Sequence, residues 1–198
     1  MPAPNPARRR VLLDAAIELI AADGLHGLTH RALDRQAGLP VGTASNYFPS
    51  RIELVVATAQ RLAELQEGEL QQAELEEQEG AGSSLDDAVD SIARSLVRAA
   101  TEQRSRSAAM LELQSEMRRR PEIGAALAPL QRGSEDSTAT HHRRRQLPIP
   151  PEMVPVLQAL YGGALQALLT LPAERVTLER ARLMARTMIF GVGPGGDR

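Results

Sequence analysis

A chain of 198 residues is long enough to bury one sizeable core or two smaller ones. It is 42% hydrophobic but only 2% aromatic, so its core must be built from Leu, Ala, Val, Ile and Met, a palette that favours helix over sheet. The absence of Cys excludes disulfide scaffolds, thiolate metal sites and cysteine nucleophiles. The formal net charge of −2 hides a pattern: all 23 basic residues are Arg, and three of their clusters, at 8–10, 118–120 and 143–145, contrast with nine acidic and no basic residues between Glu67 and Asp90. Local charge, not the total, decides whether a surface meets phosphate.

Residues 1–7 hold three prolines and are expected to form a disordered arm. Arg8 to Ala22 carries Leu12, Leu13, Ala16, Ile17, Leu19 and Ile20 at helical spacing, with Gly24 as a stop. Asp14 and Glu18 break its apolar run, which is no signal peptide, and no segment approaches the roughly 20 apolar residues of a membrane span. The expected location is the cytoplasm. A short segment from Thr29 to Ala37 is closed by Gly38, and a second runs from Val41 to Phe48 between Pro40 and Pro49. Ser50 and Glu53 form a capping box that opens a long helix bearing Leu54, Val55, Ala59, Leu62 and Leu65, to be ended by Gly80-Ala81-Gly82.

Ser84 and Asp87 cap a helix to about Ala100, and residues 103–119 make another. Pro121 suits the first turn of the next, which carries Ile123, Leu127 and Leu130. Past Gln131 the helical signal fades, and Leu147 to Pro151 reads as a connector. Two strong helices follow, Glu152–Leu171 and Thr177–Phe190, before a flexible tail at 191–198. The expected fold is all-α with about nine helices.

Two short helices joined at a glycine, Thr29–Ala37 and Val41–Phe48, make a helix-turn-helix. Ala32, Leu33, Ala37, Leu39, Ala44 and Phe48 face inward, while Thr43, Asn46 and Tyr47 present polar groups suited to phosphates or base edges. A helix N-terminus aimed at the duplex would add amide donors. The same spacing also describes a structural αα-corner with a polar face.

The block Thr29-x-x-x-Leu33, Ala37-Gly38-Leu39, Gly42-Thr43, Phe48 and Pro49-Ser50-Arg51-x-Glu53-Leu54 closely resembles the DNA-binding domain of the TetR family of bacterial transcriptional regulators. The motif covers the first third of the chain; the rest is similar in architecture only. The resemblance implies a helix-turn-helix domain at 8–53 and a helical ligand-binding and dimerisation domain at 54–190. It implies phosphate contacts from Thr29, His30, Thr43 and Arg51, and a base contact from Arg31, worth roughly 1–3 kcal/mol of discrimination if bidentate to guanine. Val41 could meet a thymine methyl, and Gly42 lies beside it at the start of the recognition helix. Asn46 shares the outward face, and Tyr47 falls where the family has a ring against backbone or base. Ser45 stands where many members have Tyr, so either Ser45 makes a smaller phosphate contact or Tyr47 takes over that duty; Pro40 stands where they have a capping Ser, so that cap must come from backbone or solvent.

For the second part, the resemblance implies a homodimer through the last two helices, with Leu157, Tyr161, Ala164, Leu165, Leu168, Met184 and Met188 at the interface. It also implies a small-molecule effector, for which Met110, Leu113, Gln114, Met117 and Tyr161 are the candidate lining. His141 and His142 point apart on a helix and lack a carboxylate at ligand spacing, so no metal site is expected. No cofactor or nucleotide motif and no isolated carboxylate suggests catalysis, so no enzyme is expected. The chain thus reads as a ligand-responsive repressor that binds double-stranded DNA at a palindromic operator as a homodimer. The alternative is a helical small-molecule binding or scaffold protein with a vestigial helix-turn-helix.

Overall fold

Asn5 starts the first helix: its Oδ1 accepts from the amides of Ala7 (2.9 Å) and Arg8 (3.3 Å), and Pro6 occupies the first turn with its fixed φ. Helix α1 (Pro6–Gly27) therefore begins earlier than residue 8, and takes Pro6 and Ala7 out of the expected arm. Gly24, expected as a stop, is instead a kink at φ +67° that only glycine takes without strain, and a further turn follows it. The computed structural model describes residues 5–77, 84–144 and 146–191; the expected stop at Gly80–Gly82 and most of the tail fall outside these.

Helix α2 (His30–Gln36) is capped by Thr29, and α3 (Thr43–Tyr47) follows a turn with left-handed Gly38 and Gly42. At the start of α4 (Arg51–Glu77), the Ser50 hydroxyl accepts from the Glu53 amide at 3.3 Å and donates to the Glu53 carboxylate at 2.8 Å. Helix α5 (Leu85–Ala100) opens with the reciprocal Ser84–Asp87 box. Then come α6 (Arg104–Glu116), α7 (Pro121–Arg144), α8 (Val154–Leu169) and α9 (Leu178–Phe190). Among the described residues the structure has these nine α-helices, two 3-10 turns and no strand, as the composition predicts.

Helix α7 runs on through residues 133–144, where the sequence signal is weak. Tertiary support compensates: the Gln158 amide on α8 donates to the Ser134 hydroxyl at 3.0 Å, and His142 and Leu147 are buried.

The chain packs as two units. The first comprises the residues up to Glu69 with Ser105–Arg132; the second comprises Leu70–Arg104 with those from Gly133 onward. The grouping differs from a division after residue 53 because Leu113 on α6 and Ile123 and Leu127 on α7 share one buried cluster with Leu13, Ile20, Leu33, Phe48 and Leu54. In the second unit Val89, Leu96 and Ala100 of α5 pack with Leu165, Leu168, Ala181 and Ala185. The Arg104 guanidinium ties its helix ends together, donating to the carbonyls of Ala100 (3.1 Å), Leu169 (2.6 Å) and Leu171 (3.0 Å). No helix among the described residues is long and apolar enough to cross a membrane.

Candidate nucleic-acid interface

A five-residue helix has too few internal hydrogen bonds to persist alone, so α3 must be held from outside. Gly42, its N-cap residue, has no side chain, and Pro40 offers no amide. Asp34 on α2 supplies what is missing. Its carboxylate is 2% exposed and accepts from the Gly42 amide through Oδ2 and from the Ala44 amide through Oδ1, both at 2.7 Å. The Thr43 amide bonds the Pro40 carbonyl at 3.1 Å. The cap thus comes from a neighbouring helix, not from solvent. The Gly42, Thr43 and Ala44 amides are bonded within the chain and are not offered to phosphate.

The other end is also tied. His30 Nε2 lies 2.6 Å from the carbonyl of Phe48; a carbonyl only accepts, so this nitrogen carries the proton and donates. That atom is unavailable for the phosphate contact expected of His30. Arg51 is likewise turned inward, donating through Nε to the Leu28 carbonyl at 3.3 Å and through Nη2 to the Leu25 carbonyl at the end of α1. Thr43 Oγ donates to the Pro40 carbonyl (2.6 Å) and Ser45 Oγ to the Gly42 carbonyl (2.9 Å), so their protons are committed. A phosphate oxygen can only accept, and would have to displace these bonds.

The remaining candidates face outward. Val41 is 85% exposed, and Arg31 and Asn46 are exposed as well. Thr29 accepts from the Ala32 amide at 3.2 Å and keeps its hydroxyl proton to give. Tyr47 is alike: its oxygen accepts from the Asn5 amide at 3.1 Å, leaving the phenol proton for a further acceptor. Next to it, Arg9 lies 5.4 Å over the Phe48 ring, a cation–π contact that anchors one of the three N-terminal arginines. Residue patterning missed Asp34 entirely. The only signal was an acid four residues after His30 on the short helix preceding one with no cap of its own.

The effector candidates do not come together in one unit. Met110 and Leu113 are buried in the core of the first, Met117 packs on that core and Gln114 is exposed, whereas Tyr161 belongs to the second. There its hydroxyl pairs with Ser95 Oγ at 2.9 Å, and burial pushes its phenol above the usual 10.0, opposed by the Ser95 bond and the charge of Arg98. The expected dimer residues divide too. Leu165 (9% exposed) and Leu168 (0%) are consumed by their own core, while Leu157, Tyr161, Ala164, Met184 and Met188 are half-buried. A groove of about 380 Å³ between α8 and α9 is lined by Leu160, Ala164, Leu183, Met184, Thr187 and Met188, and Leu183 is 69% exposed. Val156, Leu160, Leu183 and Phe190 are exposed apolar residues of these two helices, and Ala164, Met184 and Met188 of the expected set line the groove beside Leu160 and Leu183.

Comparison with known proteins accords with this architecture. The family description "Bacterial regulatory proteins, tetR family" matches residues 12–58, and "Tetracyclin repressor-like, C-terminal domain" matches residues 83–191. The chain therefore belongs to the TetR family of bacterial transcriptional regulators, whose DNA-binding part is the helix-turn-helix. It is 36% identical over 58 residues to the HTH-type transcriptional regulator BetI of Rhizobium meliloti (strain 1021), a match covering 29% of each chain. It is 39% identical over 54 residues to BetI of Klebsiella pneumoniae (strain 342), covering 27% of this chain and 28% of that one. The similarity to these curated relatives thus spans under a third of their length. Among solved structures, the multidrug binding protein EbrR complexed with ethidium is 25% identical with a TM-score of 0.65, covering 94% of this chain and 100% of that one. A transcriptional regulator from Saccharomonospora viridis in complex with choline is 18% identical with a TM-score of 0.75, covering 93% and 96%, a likeness of fold.

Proposed function

We propose that this protein is a ligand-responsive repressor that binds a palindromic DNA operator as a homodimer. The observation that carries the reading is the helix-turn-helix itself, in which α2 and α3 close their buried polar groups on one another and leave Arg31, Val41 and Asn46 exposed beside a half-buried Tyr47 whose phenol proton is unspent. Those four offer a guanidinium, an apolar tip, an amide and a phenol proton, the group types that read base edges and grip phosphate in a major groove. Thr29 adds a hydroxyl donor at the start of α2, and Gly42, Thr43, Ser45 and Arg51 set the turn and its supports.

The exposed apolar face of α8 and α9 supports a two-fold four-helix contact, since Leu160 and Leu183 would otherwise stay in water. Such a dimer would present two copies of α3 to half-sites about one helical turn apart or slightly more. EbrR and the S. viridis regulator bind small molecules in their structures, which supports an effector for this chain as well. An effector acts on DNA affinity only by the difference in its own affinity for two conformations.

A second reading, a small-molecule binding or scaffold protein with a vestigial helix-turn-helix, draws on the inward-turned donors of His30, Thr43, Ser45 and Arg51. Selection of duplexes from a random library at physiological salt separates the two. The repressor reading expects an enriched palindrome. Folded, helical protein that enriches no sequence, with binding that vanishes at that salt, would sink it.

A further inference from the structure

Resting on the DNA-binding reading, we propose that His30 and Asp34 are a pair of positioning residues that hold the recognition helix at both ends and set the register in which it meets base pairs. The two stand four residues apart on α2, hence on one face, about one turn from each other. Their spacing brings opposite chemistry to opposite ends of α3. A carboxylate takes the Gly42 and Ala44 amides at the N-terminal end, and an imidazole N–H takes the Phe48 carbonyl just past the C-terminal end. The Asp34 carboxylate also has the sign that the helix dipole favours at an N-terminal end.

The clamp aims side chains as well as holding the helix. Gly42 sits at φ +92°, and its amide is turned toward Asp34; this turn leaves Val41 projecting into solvent. Because α3 spans only residues 43–47, its internal bonding cannot preserve that orientation if the Asp34 bonds are lost. Loss of the His30 bond would leave the Phe48 carbonyl unpaired at the end that carries Tyr47, with the buried Phe48 ring left to hold it there. Neither His30 nor Asp34 needs to touch DNA. They act through Val41, Asn46 and Tyr47.

The test uses full-length protein, a duplex selected by the wild type and a scrambled duplex of equal composition. Asp34→Asn keeps the volume but turns an amide NH2 toward one of the two N–H groups. His30→Ala removes the C-terminal tie, and His30→Gln restores a donor near the position of Nε2. Asp34→Asn and His30→Ala are expected to weaken the selected duplex by about 10- to 100-fold and the scrambled one by less than about 3-fold, with His30→Gln near wild type. Melting temperature alone is what a purely structural role would move. Wild-type affinity in both Asp34→Asn and His30→Ala, or equal losses on both duplexes, overturns the proposal. If Asp34→Asn does not fold, the His30→Ala and His30→Gln comparison decides. If the wild type selects no duplex, the DNA reading has failed, and the clamp is judged by amide exchange at Phe48 and Tyr47. Slow exchange that His30→Ala accelerates supports the clamp, and exchange unchanged by it refutes it.

Discussion

The two packing units handle surplus chemistry in opposite ways. In the first, polar groups that could face solvent are folded inward: Asp34 and His30 serve α3, and Arg51 serves the end of α1. Its buried apolar residues close on one another, and Val41 is a notably exposed apolar tip. In the second unit the polar groups close the charged side, with Asp90 bidentate to Arg182 at 2.8 Å and Asp86 paired to Arg186 at 3.1 Å, while Leu160, Leu183 and Phe190 remain exposed. The difference teaches that surface character here is set by which groups are satisfied at home. A unit with its polar supports internalised presents a few directed side chains, and a unit with leftover apolar area presents a face that water disfavours.

The strongest way to break this comparison is to charge the apolar face. Leu160→Glu combined with Leu183→Glu is expected to weaken self-association by about 100-fold or more while leaving helicity intact, because both side chains lie outside the core. Sedimentation velocity reads the outcome, and an unchanged two-chain species would place the interface elsewhere. Leu168 makes a contrasting control. It is fully buried against α5 and α9, so Leu168→Ala should cost about 2–5 kcal/mol of stability in urea unfolding without selectively affecting dimerisation.

A smaller effect sharpens the other side. Arg51→Ala leaves the Leu25 and Leu28 carbonyls without their guanidinium, and should lower stability by about 1–3 kcal/mol. If Arg51 is structural, the slope of log affinity against log salt should not change. A slope reduced by about one would return Arg51 to the phosphate backbone.

The smallest effect concerns Tyr161. Burial raises its phenol above the ordinary 10.0, so the folded state holds this proton more tightly than the unfolded state does. The resulting stabilisation is complete below about pH 10 and is lost as pH climbs through the folded value. Wild type should therefore lose more stability than Tyr161→Phe between about pH 8 and pH 10.5 in thermal unfolding. Equal losses would mean that ionisation of Tyr161 does not oppose folding.

How far each feature was legible depended on sequence distance. The boxes at Ser50–Glu53 and Ser84–Asp87 close within one turn, so a spacing of three residues was enough to foresee them. The cap on α3 reaches back ten residues from Ala44 to Asp34, and Arg51 reaches 26 residues to Leu25; no local pattern encodes either. The apolar abundance of α8 was evident, but not that Leu165 and Leu168 are taken by the chain's own core. Periodicity shows that a helix has more apolar surface than one neighbour needs, yet it does not say which turn α5 covers. The signal fades after Gln131 for a related reason, since the helix there leans on Gln158 from another part of the chain.

Local chemistry in the sequence therefore determined that this protein is helical, where most helices start, and that a glycine-joined pair of short helices lies near its N-terminus. Those properties follow from propensity, capping and periodicity, which act within a few residues. Tertiary structure alone decided which donors near α3 are free to meet another molecule and which leucines of α8 and α9 are left in water. Both are questions of what a group touches across the fold, and a hydrogen bond or a buried methyl is satisfied by proximity in space, whatever its separation along the chain.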